Sequence, residues 1–125
     1  MITGVRVFDT VLDDKNLKDT VSRNSADFWK VFCKSAGWSF SYERIHSLVD
    51  LEYFFSKKIK ENVIIFSGHG DSNDGFYLTN GDVLDGSCNI LVPEKNQGKS
   101  IIFSTCCMGQ NQKLCSKLKD IFKAN

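Results

Sequence analysis

A chain of 125 residues holds one domain with a single core and is too short for two. Its hydrophobic share of 42% and charged share of 25% are ordinary for a globular protein, and a net charge of +1 gives no electrostatic case for nucleic acid or an anionic membrane as partner. Five cysteines (Cys33, Cys88, Cys106, Cys107 and Cys115) without a CxxC pair, and an N-terminus without a signal peptide's basic region and apolar core, favour reduced thiols and a cytoplasmic location over a disulfide framework.

Residues 4–12 are rich in β-branched side chains and predict a first, central strand, closed by Asp13 and Asp14. From about Asn16 to Ala36, Leu17, Val21, Phe28, Val31 and Phe32 recur at near-helical spacing, and Gly37 stands where a C-terminal cap belongs. Asn24 and Ser25 compete for backbone hydrogen bonds, so one long helix and two short ones are both open. Residues 38–45 alternate apolar and polar, as an outer strand with one drier face does. Ser47-Leu-Val-Asp50 then predicts a helix N-cap, with an apolar stripe of Leu48, Leu51, Phe54, Phe55 and Ile59 running to about Lys60.

Val63-Ile-Ile-Phe-Ser-Gly-His-Gly70 is a short apolar run ending abruptly at Gly, which predicts a strand buried on both faces. Asp71-Ser-Asn-Asp-Gly75 is a turn cluster, and Asn80-Gly81 marks a tight hairpin between residues 76–79 and 82–84. Residues 85–98 show little periodicity and predict loop, with a short helix around Cys88 to Leu91. Ile101-Ile-Phe-Ser-Thr-Cys-Cys-Met-Gly109 is a second buried-strand run, and Leu114, Leu118, Ile121 and Phe122 define a last amphipathic helix. The alternation of strands and helices predicts an α/β fold: a mainly parallel sheet of about four core strands, with helices on both faces.

In open α/β sheets, chemistry gathers beyond the carboxyl ends of the strands. One apolar strand would bring His69 to that edge and the other Cys106 and Cys107. A thiol beside an imidazole is the minimal apparatus for nucleophilic acyl transfer, provided backbone N–H groups bind the oxyanion. Gly70 leaves an unobstructed amide beside His69 for that purpose. A metal site built from His69 and a Cys lacks the paired-ligand spacing of structural zinc, and no metal or organic cofactor is expected.

At these residues the chain resembles the caspase-like cysteine peptidases. Phe66-Ser-Gly-His-Gly70 is similar to the Tyr-Ser-Gly-His-Gly of metacaspases, and residues 71–82 are similar to the acidic turn and hairpin that follow it in caspases. Ser104-Thr-Cys-Cys-Met-Gly109 matches the segment that carries the family's cysteine. Metacaspases, legumains and bacterial members place Gly three residues after that cysteine, which selects Cys106; the caspase pattern, with Gly two residues after it, selects Cys107. The Ser-Thr-Cys106 tripeptide also resembles the bacterial Ser-Ala-Cys, and Cys106 is favoured.

The resemblance implies a caspase-like three-layer sandwich and a cysteine endopeptidase acting on a polypeptide substrate. His69 would be the general acid–base, Cys106 the nucleophile with Cys107 as alternative, and the Gly70 amide an oxyanion donor. Ser104 would face the substrate, while Asp71 and Asp74 either shape the turn or face the substrate. Ser104 replaces the metacaspase acid, so the resemblance gives no preference for Arg or Lys. Family peptidases continue with two further pocket strands, so the chain corresponds to the large-subunit portion, and a second subunit or a homodimer would complete the pocket. The rival expectation is a caspase-like interaction module that regulates a peptidase or adaptor without catalysis.

Overall fold

In a computed structural model, which describes residues 1–10, 21–71, 73–104 and 111–123, the predicted alternation becomes a parallel sheet. Strands β1 (Gly4–Asp9), β2 (Ser39–Arg44), β3 (Val63–Ser67) and β7 (Ser100–Ser104) form it, in the order β2-β1-β3-β7. Every adjacent pair in this sheet is parallel. Helices α1 (Val21–Ala36), α2 (Leu48–Ser56) and α3 (Gln112–Phe122) flank it. A second small sheet, β4 (His69–Asp71), β5 (Gly75–Tyr77) and β6 (Val83–Leu84), follows β3 directly.

The central position of β3 explains its unbroken apolar run, since all five of its residues are buried. Alternate side chains serve opposite layers. Val5, Val7, Val63 and Ile65 form a core with Cys33 of α1, joined by Trp29, Trp38 and Phe40. Phe8, Ile64 and Phe66 face the larger core, with Leu51 and Phe55 of α2 and Leu114, Leu118 and Phe122 of α3. Phe8, Phe66 and Phe103 lie on one rung and stack as a continuous row, with centroids 5.9 and 5.3 Å apart. Such offset aromatic pairs add to the stabilisation from area burial.

Helix α1 continues through Asn24 and Ser25, so the single-helix alternative holds. Its outward face carries Phe28, Val31 and Phe32, all exposed, while Cys33 points to the sheet and Trp29 is partly buried. Strand β1 ends at Asp9, short of the predicted residue 12, and residues 11–20, where the first helix's predicted start falls, lie outside the described residues.

The start of α2 is as predicted: Ser47 Oγ accepts from the Asp50 N–H at 3.1 Å, and Asp50 Oδ2 accepts from the His46 N–H at 2.8 Å. The helix stops at Ser56, four residues before the predicted end at Lys60. The cause is tertiary. Asn96, fully buried, donates to the Phe55 and Lys57 carbonyls and accepts from the Ile59 N–H. The carbonyls that would continue the helix are taken.

Two loop expectations are corrected. The predicted helix around Cys88 to Leu91 does not form; that stretch is non-helical, and a 3-10 turn appears later, at Glu94–Asn96. Cys88, Ile90 and Val92 are buried while Asn89 and Leu91 are exposed, a period of two that belongs to extended chain. The hairpin is also longer than a two-residue Asn-Gly turn. Leu78 N–H donates to Asp82 O at 2.9 Å and Gly81 N–H to Leu78 O at 3.0 Å, which makes a three-residue loop with Gly81 at φ 96°.

Candidate active site

All four strands of the main sheet end on one rung: Arg44, Asp9, Ser67 and Ser104 lie side by side across it. Side-chain parity puts the four on the α1 side, one position beyond the Phe8–Phe66–Phe103 row. The carboxyl edge of the sheet is therefore polar immediately above an aromatic floor.

Beyond Ser67 the chain turns at Gly68. A Cβ there would collide with Thr10 Oγ1 and press on the Phe76 ring, so only glycine permits this approach of the two segments. The turn delivers His69, partly buried, as the first residue of β4, opposite Tyr77. Thr10 fastens the junction, its N–H donating to Ser67 O and its hydroxyl to Tyr77 O, both at 3.0 Å.

Gly70 lies opposite Phe76. The Leu78 to Asp82 hydrogen bond fixes the phase of the β5–β6 ladder, in which Phe76 and Leu78 point their backbone groups toward β6. Gly75 and Tyr77 then point theirs toward β4, and Gly70 falls at a wide, non-hydrogen-bonded pair. Its N–H is directed out of the ladder, as an oxyanion donor requires.

Ser104, partly buried, ends β7 on the rung of Ser67. Asp71 pairs with Gly75 at the end of β4. Asp74 is exposed at the hairpin turn and accepts the Tyr77 hydroxyl at 2.8 Å. Cys106 and Cys107 lie outside the described residues. The described residues thus bring His69, Gly70 and Ser104 to one edge of the sheet.

The sequence reading missed Asp9. It is completely buried at the end of β1, where Tyr42 donates to it at 2.6 Å and Arg44 Nε at 3.2 Å. Arg44 also donates to the Tyr42 hydroxyl at 2.9 Å, closing a triangle at the same edge. Burial, together with the hydrogen bond to Asp9, pushes the Tyr42 phenol up to about 12. The signal was an acidic residue in a β-branched run, at Asp9. The second missed feature is Ser67: its hydroxyl is fully buried and has no hydrogen-bond partner among the described residues.

Cys33 and Cys88 are poor nucleophiles. Cys33 and Cys88 are buried, and burial raises both thiols above the ordinary range. Among the described residues, no three His, Cys, Asp or Glu side chains converge to hold a metal ion, and no helix is long and apolar enough to cross a membrane. Comparison with protein-family models, curated proteins and solved structures gives no match to this chain.

Proposed function

We propose that the protein is a caspase-like cysteine endopeptidase, or the catalytic subunit of one, working in the cytoplasm with Cys106 as nucleophile and His69 as general acid–base. The observation that carries this reading is the shared rung of Ser67 and Ser104. His69 and Cys106 each follow that rung by two residues, and two residues of chain span at most about 7 Å. With parallel neighbours about 4.8 Å apart, this reach allows the thiol and the imidazole to meet at one edge.

The chemistry follows from the groups. His69 takes the Cys106 proton, and the thiolate adds to the carbonyl carbon of the scissile peptide. The Gly70 and Cys106 amides hold the oxyanion. Collapse of the tetrahedral intermediate breaks the C–N bond, and His69 returns the proton to the departing amine. Water activated by His69 then hydrolyses the thioester. Ser104, Asp71 and Asp74 flank the path of the polypeptide substrate, and no cofactor takes part.

The test is cleavage of a mixed peptide library by the wild type and by Cys106→Ala, Cys107→Ala and His69→Ala. The reading requires that Cys106→Ala and His69→Ala lose turnover while folding normally. Full activity of Cys106→Ala with loss in Cys107→Ala would move the nucleophile by one residue. The competing reading is a non-catalytic interaction module, favoured by one observation: β7 ends the sheet, and no strand among the described residues pairs with its outer side. A wild type that cleaves nothing while binding a partner through that edge would establish it.

A further inference from the structure

Helix α3 is anchored at both ends, and the anchors fix its direction. The Phe122 carbonyl at its C-terminus accepts from the Gly98 N–H at 2.7 Å, just ahead of β7. Leu114, Leu118 and Phe122 face the larger core, so the helix lies along the sheet on the face opposite α1. At its other end the first turn seats on the loop that leaves β6, where a Cβ at Gly86 would collide with Lys113. That loop belongs to the small sheet that follows β3 at the carboxyl edge. From Phe122 to Asn111 the helix rises about 16 Å, and from Gly98 to Ser104 extended chain covers about 20 Å. The N-terminus of α3 therefore comes up to the carboxyl edge of the main sheet.

This helix end carries an unanswered donor. Asn111 is only 5% exposed and caps the helix: its Oδ1 accepts the Leu114 N–H at 3.1 Å, and its main-chain carbonyl accepts the Cys115 N–H at 3.0 Å. The cap bond folds the carboxamide over the first turn and fixes which of its ends faces Leu114. Nδ2, on the same carbon, is held there, buried and without a hydrogen-bond partner among the described residues. A serine or aspartate would cap Leu114 equally well without burying an NH2 group. The N–H groups of Gln112 and Lys113 have no acceptor within the helix either, and both residues are exposed, which opens this end to solvent. No acid stands in the first turn, and Lys113 adds a cation. Asp85, on the facing loop, has its carboxylate turned to the N–H and hydroxyl of its own Ser87.

We infer that the N-terminus of α3 binds a phosphate group, held by Asn111 Nδ2, the Gln112 and Lys113 N–H groups and the Lys113 charge. The buried Nδ2 carries this inference, because it is a donor placed at the positive end of a helix with nothing to receive it. Several donors around one point match the oxygens of a phosphate better than the two of a carboxylate. The place is also where ligands of open α/β sheets gather, beyond the carboxyl ends of the strands. The site is independent of peptidase activity and stands whether or not Cys106 is a nucleophile.

The test is an NMR titration of the amide signals of the full chain with inorganic phosphate, at an ionic strength held constant with chloride. Saturable shifts of the Asn111 side-chain NH2 and of the Gln112 and Lys113 N–H signals are expected. Asn111→Asp keeps a good cap but puts an anionic oxygen where the donor was, so it should weaken phosphate binding about tenfold or more. Asn111→Ser also caps, adds no charge, and should weaken it about threefold or more. Circular dichroism checks that both variants are folded. A phosphoserine peptide forms a second arm: tighter binding than inorganic phosphate identifies a phosphorylated polypeptide as the source, and equal or weaker binding a free phosphate. Shifts that stay linear with concentration, acetate binding as tight as phosphate, or equal phosphate binding by the wild type and both variants would each overturn the inference.

Discussion

Ser67 and Ser104 stand directly opposite one another at the last rung of β3 and β7, and in the sequence His69 and Cys106 each follow that rung by two residues. In the proposed dyad the imidazole would raise the thiolate fraction of Cys106. Cys106 should therefore be alkylated by low iodoacetamide near neutral pH well before Cys33 and Cys88, whose thiols burial pushes up. Mass spectrometry of partly labelled protein reads the order, and His69→Ala should slow Cys106 labelling by about tenfold. Uniform slow labelling of all five cysteines would remove the basis for a catalytic thiol.

The Ser67 hydroxyl shares the rung of Asp9 but has no partner among the described residues. A buried hydroxyl without a partner costs about 1–3 kcal/mol relative to one that is satisfied. Ser67→Ala should thus be neutral or stabilising by up to about 1 kcal/mol, measured by urea denaturation. A clear loss of stability would mean that the hydroxyl is held by a partner in solution. Should Ser67→Ala instead keep its stability and lose substrate affinity, the hydroxyl serves a ligand at this edge.

What was legible in the sequence follows from local rules. The apolar run of β3, the Ser47–Asp50 cap and the 3.6-residue period of α3 each depend on residues within one element, and the structure agrees with each; the run of β7 is a strand as predicted, but not a buried one, since its residues are partly exposed. The early stop of α2 was not legible, because Asn96 acts on it from 40 residues away. The Asp9–Tyr42–Arg44 triangle joins two strands whose register only the folded sheet fixes. His69 and Gly70 were found from their motif, but the direction of the Gly70 amide came from the phase of a hairpin two strands wide.

At the opposite end of the sheet, Glu61 is buried and accepts from Ser41 Oγ at 2.5 Å and Arg6 Nε at 3.1 Å. Burial pushes its carboxyl up, but the Ser41 hydroxyl, a backbone N–H and the Arg6 guanidinium together hold it below the ordinary value. The native state then binds fewer protons than the unfolded chain as pH falls toward that depressed value. The stabilisation is present above the ordinary carboxylate range and is lost on acidification through the lowered one. Glu61→Gln should reduce stability at neutral pH by about 2–4 kcal/mol, since it leaves Arg6 without its charge partner, and should flatten the acid limb of a stability–pH curve. An unchanged acid limb would show that Glu61 does not supply this dependence.

Tyr42 provides the alkaline counterpart. Its phenol is raised to about 12, so between the ordinary tyrosine value of 10.0 and that value the folded protein holds a proton that the unfolded chain has released. Stability from this group falls as pH rises through that window. In a tyrosine absorbance titration, Tyr42→Phe should remove the step near 12. Loss of a step near the ordinary tyrosine value instead would mean that the Asp9 contact does not hold in solution.

Asn96 supports the entry to β3, the strand that precedes His69. Its Oδ1 accepts the Ile59 N–H at 2.8 Å, and its Nδ2 donates to the Phe55 and Lys57 carbonyls, each at 2.7 Å. These three bonds end α2 and aim the chain into β3. Asn96→Ala strands buried backbone groups on both sides and should cost about 2–4 kcal/mol. Asn96→Asp keeps the acceptor for Ile59 but points carboxylate oxygens at two carbonyls, so it should be at least as damaging at neutral pH and partly recover on acidification, when protonation restores one donor. Urea denaturation of the two variants at neutral and mildly acidic pH separates these effects. If both variants lose the same stability at both pH values, the side chain's contribution is packing alone, and the end of α2 is set by some other contact.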